Sequence, residues 1–256
     1  MRSIDLNKIN HSYKVGQSCP SIDPNITEDC LLYENGELIG FFINSLTGKI
    51  KQCAEFCNNE LLSERVPKQI MTRSSGLHNG NPVEQFSTII GSIPPKPHMR
   101  RSYPSISSVH NVKTAVDFIK GMKVLVNMAE ELIKEIMPGQ YELQKRLIEE
   151  RVLEKYRFSK LFTSSISNFN ISADFHIDKL NIKNCVNVII SKRKDSTGGN
   201  LYVPDYDACF NSKDSSILVY PAWKSLHGVT KIVPTKNKGY RNSLVFYPLD
   251  AFSKDR

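Results

Sequence analysis

The sequence predicts an α+β fold, mainly β, in which a double-stranded β-helix (jelly-roll) core carries supporting helices packed on one face. Three observations predict it. After about Phe158 the chain breaks into short β-branched or aromatic runs separated by turn residues, among them CVNVII, NLYV, SILVY, HGVTKIV and SLVFY. That is the pattern of an antiparallel sandwich or barrel. Ahead of them Val112, Val116, Ile119, Val126, Ile133 and Ile136 recur at helical spacing. Finally, a chain of 256 residues with 40% hydrophobic and 23% charged content can bury a substantial core.

In order along the chain, residues 1–90 read as an irregular β-rich N-terminal extension. Its clearest element is CLLYENGELIGFFI, a hairpin turning at Asn35 and Gly36. Residues 91–256 read as the β-helix domain with its helices, and the two parts form one compact unit. IPPKPHMRRSYP, with four prolines from Ile93 to Pro104, is expected to run as an extended basic segment. Asn111 caps a helix over 111–137, Pro138 and Gly139 stop it, and a second helix spans 140–155. Gly198 and Gly199 precede the strand NLYV and serve architecture, because the lysine and helix of a phosphate loop are missing.

No apolar run approaches the roughly 20 residues that cross a bilayer, and the N-terminus lacks the apolar segment of a secretory signal. An intracellular, soluble protein is expected. The six cysteines are scattered and read as reduced thiols; CAEFC (Cys53, Cys57) does not have standard finger spacing. A formal net charge of +8 favours a polyanionic partner such as nucleic acid. KPHMRR, with Lys96, Arg100 and Arg101, and KRK, with Lys192 and Arg193, are the candidate phosphate contacts. No protein partner is inferable.

The chemistry starts in ADFHIDKLN, where His176 and Asp178 stand two apart on a predicted strand and so share one face. His227 follows 51 residues after His176. Two histidines and one carboxylate on one side of an ion leave three positions open, the facial arrangement of non-haem iron(II) oxygenases. In RNSLVFY, Arg241 and Ser243 again share a strand face. An arginine can hold the distal carboxylate of 2-oxoglutarate bidentately, and a serine hydroxyl can add a hydrogen bond. Iron(II), 2-oxoglutarate and dioxygen are the cofactor and co-substrates this set calls for. For the 1-carboxylate of 2-oxoglutarate, Asn168 is a candidate by position alone.

From Phe158 to Phe252 the sequence resembles the TET and base-J-binding-protein branch of the 2-oxoglutarate/iron(II) oxygenases, which hydroxylate the 5-methyl group of pyrimidines in DNA. HIDKLN, GGNLYVPDY, HGVTKI and RNSLVFY carry the resemblance. It implies that His176, Asp178 and His227 are the iron ligands, that Arg241 and Ser243 hold 2-oxoglutarate, and that Asn181 and Tyr247 contact an extruded base. The chain departs from the animal members in lacking a long barrel insert and a cysteine-rich region. That leaves 5-methylcytosine and thymine both open as substrates. Two other readings stay open: an oxygenase of a free small molecule or protein side chain, and a non-catalytic jelly-roll module binding modified DNA.

Overall fold

A computed structural model describes residues 1–70, 77–78, 81–82, 84–96 and 101–252, with backbone alone for 70, 77–78 and 81–82. The first half contains β1 (Arg2–Asp5), β2 (Cys30–Glu34), β3 (Glu37–Ile43), α1 (Gly48–Leu62), β4 (Phe86–Ile93), α2 (Val116–Ile136) and α3 (Pro138–Arg151). The second half contains β5 (Ser164–Phe169), β6 (Ala173–His176), β7 (Asn187–Lys194), β8 (Ser196–Gly198) and β9 (Leu201–Val203). It continues with β10 (Ala208–Phe210), β11 (Ser216–Tyr220), β12 (His227–Val229), β13 (Ile232–Pro234) and β14 (Tyr240–Tyr247).

A large sheet has the order β1-β2-β3-β11-β7-β14-β5-β4, and Gln69–Ile70 adds to β4 at its edge. A smaller sheet, β6-β12-β9-β10, lies against it, with apolar side chains of both sheets between them, among them Leu32, Phe42 and Leu218 with Leu201, Val203 and Phe210. This is the jelly-roll, and its mainly β content with supporting helices is the class the sequence predicts.

Strand alternation decides which residues see the core and which see the site. On β7, Val188 and Ile190 face the helices, as do Leu244 and Phe246 on β14, where they join Phe118, Met122 and Leu125 of α2. Each such fully buried side chain contributes about 1.5–3 kcal/mol of apolar transfer. The alternate residues Ile189, Arg241, Ser243, Val245 and Tyr247 line the space between the sheets.

Several elements differ from expectation. The region before residue 90 includes α1, whose Ala54, Cys57 and Leu61 join the main core. It also includes β2 and β3, the expected hairpin, which extends the large sheet through β3 against β11. β4 runs across residue 90 and pairs with β5, so the sheet is continuous over that boundary. Asn111 does not cap α2. It ends a single 3-10 turn, Ser108–Asn111, whose cap is Ser107, its hydroxyl accepting from the Val109 N–H at 3.3 Å. Pro138 opens α3 instead of only ending α2, because the first turn of a helix needs no N–H from its residues.

Of the IPPKPHMRRSYP segment, residues 97–100 lie outside the described residues, and the described flanks meet instead of running apart. The Lys96 and Arg101 backbones bond to each other, and the Arg101 side chain donates to the Pro94 carbonyl and the Ser105 hydroxyl. Among the described residues no helix is long and apolar enough to cross a membrane, and all six cysteines are free thiols.

The glycine doublet is architectural for a specific reason. At Gly198 φ is +69°, and a Cβ there would stand 1.9 Å from the Lys231 carbonyl oxygen where β8 meets β13. Gly198→Ala is expected to cost about 2–5 kcal/mol, the sum of a left-handed backbone and a clash. Gly139→Ala in α3, where nothing lies within 4 Å, should be neutral or stabilising by up to about 1 kcal/mol. Urea unfolding of both variants checks the contrast.

Candidate active site

His176 ends β6 and His227 begins β12, and the antiparallel pairing sets the two directly opposite each other. Their ring centroids are 4.3 Å apart. The backbone orients both rings: Nδ1 of His176 is 2.7 Å from the Asp174 carbonyl oxygen, and Nδ1 of His227 is 3.0 Å from that of Ser225. A carbonyl can only accept, so each Nδ1 donates its proton and each Nε2 keeps a lone pair for a cation. Burial and the neighbouring His176 lower the His227 pKa to about 4, which keeps that imidazole neutral near pH 7.

Asp178 arrives by a different route from the one its spacing predicts. β6 stops at His176, so strand alternation does not place the carboxylate. Instead the Asp178 N–H donates to the Ala222 carbonyl at 3.2 Å, and a turn closes from Asp178 to Asn181 with the Asn181 N–H donating at 2.9 Å. Asp178 Oδ1 then lies 3.7 Å from His176 Nε2. Ligand atoms of His176, Asp178 and His227 all fall within 4.8 Å of one another. Two imidazoles and one carboxylate form a donor set that fits iron(II), and all three residues border the pocket.

The second carboxylate oxygen is held from behind. Asp178 Oδ2 accepts from Asn187 Nδ2 at 3.0 Å and from Asn181 Nδ2 at 3.4 Å, and Asn181 Nδ2 also donates to Asn187 Oδ1 at 2.8 Å. Tyr220 packs its edge on the His227 ring with centroids 5.7 Å apart.

On β14, Arg241 and Ser243 stand opposite Arg193 and Ser191 of β7. Arg241 is 2% exposed; its Nη2 donates to Ser191 Oγ at 3.2 Å, and its Nε is buried without a partner. Arg193 donates to the Ser196 and Gly198 carbonyls, and its Nε is likewise buried and unpartnered. Among the described residues neither guanidinium has a carboxylate in ion-pair range; Asp214, the acid acting on Arg193, is bound by Lys192 at 3.0 Å. Burial and Arg193 lower the Arg241 pKa to about 9, so it remains charged at neutral pH. Like charges facing each other across strands repel. An anion beside Arg241 relieves that repulsion.

These residues open onto one pocket of about 730 Å³ between the sheets, lined by His176, Asp178, His227, Arg241, Ser243, Asn181 and Tyr247. The structure thus brings together every metal, 2-oxoglutarate and base-contact candidate of the sequence. Asn168 also lines the pocket, directly opposite Ser243 and within 3.5 Å of its hydroxyl. Burial and the Asp178 charge raise the Tyr247 pKa, so its phenol stays protonated.

A family model, Tet_JBP, described as the oxygenase domain of the 2OGFeDO superfamily, matches residues 95–249. The chain belongs to this family. Tet_JBP oxygenases use iron(II), 2-oxoglutarate and dioxygen, and this chain is accordingly a 2-oxoglutarate- and iron(II)-dependent dioxygenase of the TET/JBP type. Among solved structures, NgTET1 in complex with 5mC DNA aligns with a TM-score of 0.59 at 11% identity, over 94% of this chain and 85% of that one. A 2OG-Fe(II) oxygenase from Burkholderia pseudomallei aligns with a TM-score of 0.42 at 14% identity, covering 78% and 81%. A prolyl hydroxylase from Trichoplax adhaerens, in complex with a hypoxia inducible factor peptide, gives 0.44 at 12% identity, covering 82% of each chain. No curated protein matches the sequence.

The candidate phosphate contacts of this Tet_JBP oxygenase fare differently from its pocket residues. Lys192 is 2% exposed because the pleat of β7 turns it towards α1, where it pairs with Glu55 at 2.5 Å and Asp214 at 3.0 Å. Arg193 is turned inward beside Arg241. Arg101 is engaged by the Pro94 carbonyl and the Ser105 hydroxyl, and neither it nor Lys96 lines the pocket. Arg100 lies outside the described residues.

Two polar residues of β7 were not singled out from sequence. Asn187 holds Asp178, and Ser191 holds Arg241. Their signal is a polar side chain at alternate positions of an otherwise β-branched run, which a buried strand tolerates only when the group is paired. Asn187→Ala removes the stronger hold on Asp178. Its apparent iron(II) affinity is expected to fall about 10–100-fold, as for lost outer-shell partners generally, measured by iron titration of the apoprotein.

Proposed function

We propose that this Tet_JBP oxygenase hydroxylates the 5-methyl group of a pyrimidine in DNA, with 5-methylcytosine preferred over thymine, while 2-oxoglutarate is decarboxylated to succinate. The observation that carries the reading is that a planar ring, Tyr247, and an amide, Asn181, line the same pocket as the His176, Asp178 and His227 donors. In this reading those three hold iron(II), and Arg241 with Ser243 and Ser191 receives the distal carboxylate of 2-oxoglutarate. Asn168, opposite Ser243, is available to a further co-substrate oxygen.

The bound iron, with 2-oxoglutarate and dioxygen, supplies an oxidant strong enough to abstract hydrogen from a methyl group. The protein's part is placement. A base stacked in a duplex cannot enter a pocket between two sheets, so the nucleotide is extruded or the substrate strand is single. Tyr247 offers its ring to the base, a stacking contact worth about 1–3 kcal/mol.

Asn181 adds selectivity through a chain of donors and acceptors. The Asp178 carboxylate can only accept, so Asn187 turns its Nδ2 towards it; Asn187 Oδ1 then accepts from Asn181 Nδ2. Asn181 Oδ1 is thereby the atom that meets the base, and an acceptor pairs with the 4-amino group of cytosine rather than with O4 of thymine. The likeness in fold to a protein solved with 5mC DNA agrees with this choice.

The test compares 2-oxoglutarate decarboxylation with oligonucleotides that differ only at one methyl group. Stimulation by the 5-methylcytosine strand over the cytosine strand supports the reading. Equal turnover with both, or with no DNA at all, counts against it and favours a free small molecule as substrate.

A further inference from the structure

Two tight turns border the pocket, and the side chains at their tips take no part in holding the donors. Lys14–Gln17 forms a β-turn, the Gln17 N–H donating to the Lys14 carbonyl at 3.2 Å, with Gly16 at φ +87° as the residue that permits it. The second is the Asp178–Asn181 turn. Each presents a lysine next to an aliphatic side chain at its tip: Lys14 with Val15, and Lys179 with Leu180.

Val15 is 61% exposed and Leu180 66% exposed, and both line the pocket. Lys14 and Lys179 are exposed as well. Water-facing aliphatics of this size, bordering one pocket and each beside a cation, mark a surface meant for a partner. Asp174 is the other acid lining the pocket, and its carboxylate already accepts from Ser18 Oγ at 3.1 Å. Both lysines and both aliphatic side chains are exposed, so each tip presents a cation and an apolar group together.

Both turns are fixed to the metal-donor segment. The Gly16 N–H donates to the Phe175 carbonyl at 2.8 Å, and the Phe175 N–H donates to the Gln17 carbonyl at 2.8 Å, one residue before His176. The second turn begins at Asp178 itself. What the tips grip is thus held in register with the donors.

We propose that these two tips are a nucleic-acid clamp: Lys14 and Lys179 engage phosphates flanking the target nucleotide, while Val15 and Leu180 press into the stack where that nucleotide has left it. The inference rests on the DNA reading above and assigns its surface. Cationic groups release counterions from the backbone, and aliphatic side chains wedge between bases that have lost a neighbour. Charge complementarity selects this partner over an apolar peptide, which would leave both lysines unused.

The experiment measures binding of the whole protein to a fluorescein-labelled duplex with one 5-methylcytosine across a salt series. The same duplex with 2-aminopurine beside the target reports unstacking. For Lys14→Ala/Lys179→Ala the slope of log affinity against log salt is expected to flatten by about 1.8, at 0.9 per lost phosphate contact. For Val15→Ser/Leu180→Ser the slope should be unchanged, affinity about ten-fold weaker, and the 2-aminopurine signal lost. If the parent binds in a salt-dependent way and both double variants match it, the clamp is wrong and the DNA reading stands. If the parent shows no salt-dependent binding, the DNA reading fails and the clamp fails with it.

Discussion

His176→Ala is expected to release no carbon dioxide from 2-oxoglutarate above the protein-free background. Two of the three donors cannot fix an ion that needs all three to define its open face, and the lost ligand has no substitute within reach. Among the described residues His176, Asp178 and His227 form the one such group of potential ligands. The side chain of His176 is 42% exposed, so the substitution opens no cavity and stability should change by no more than about 0.5 kcal/mol. Unaltered unfolding with abolished turnover separates a ligand from a structural histidine. Retained turnover would remove His176 from the metal site.

Arg241→Gln is expected to raise the 2-oxoglutarate requirement at least about 30-fold, the lower end of the roughly 2–5 kcal/mol lost when one member of a buried, hydrogen-bonded charge pair is removed. The apoprotein should respond in the opposite sense. Arg241 faces Arg193 on the neighbouring strand, and among the described residues no carboxylate pairs with either guanidinium, so removing one charge relieves repulsion. The variant without metal or co-substrate should unfold at no lower temperature than the parent, and added 2-oxoglutarate should stabilise the parent alone. A destabilised apo variant with unchanged 2-oxoglutarate affinity would make Arg241 a structural residue.

Much of the site is legible in the sequence because its members come in pairs fixed by local geometry. Arg241 and Ser243 share a face by strand alternation, and β14 forms where RNSLVFY predicts it. His176 and Asp178 were expected to share a strand in the same way, and they converge although the strand ends between them. The turn to Asn181 and the bond to Ala222 do what the strand does not.

Residues whose roles depend on long-range register were not legible. Asn187 reaches Asp178 only because β7 lies beside β11 and β14. Lys192 and Arg193 look like a surface charge run, and only pairing with α1 and β14 turns them inward. α1 itself is obscured because buried Asn58 and Glu60 interrupt its apolar stripe. In the structure Asn58 is used: its amide bonds Tyr240 at 3.0 Å and Asn242 at 2.6 Å, tying α1 to the strand that carries Arg241.

The most direct test of a DNA 5-methylpyrimidine oxygenase is mass spectrometry of nucleosides from DNA containing thymine and 5-methylcytosine. The DNA is incubated with the protein, iron(II), 2-oxoglutarate and isotopically labelled dioxygen. One labelled oxygen is expected on 5-methylcytosine, appearing as 5-hydroxymethylcytosine, with little or none on thymine. Consumption of 2-oxoglutarate with no oxygen gained by either base would contradict that expectation.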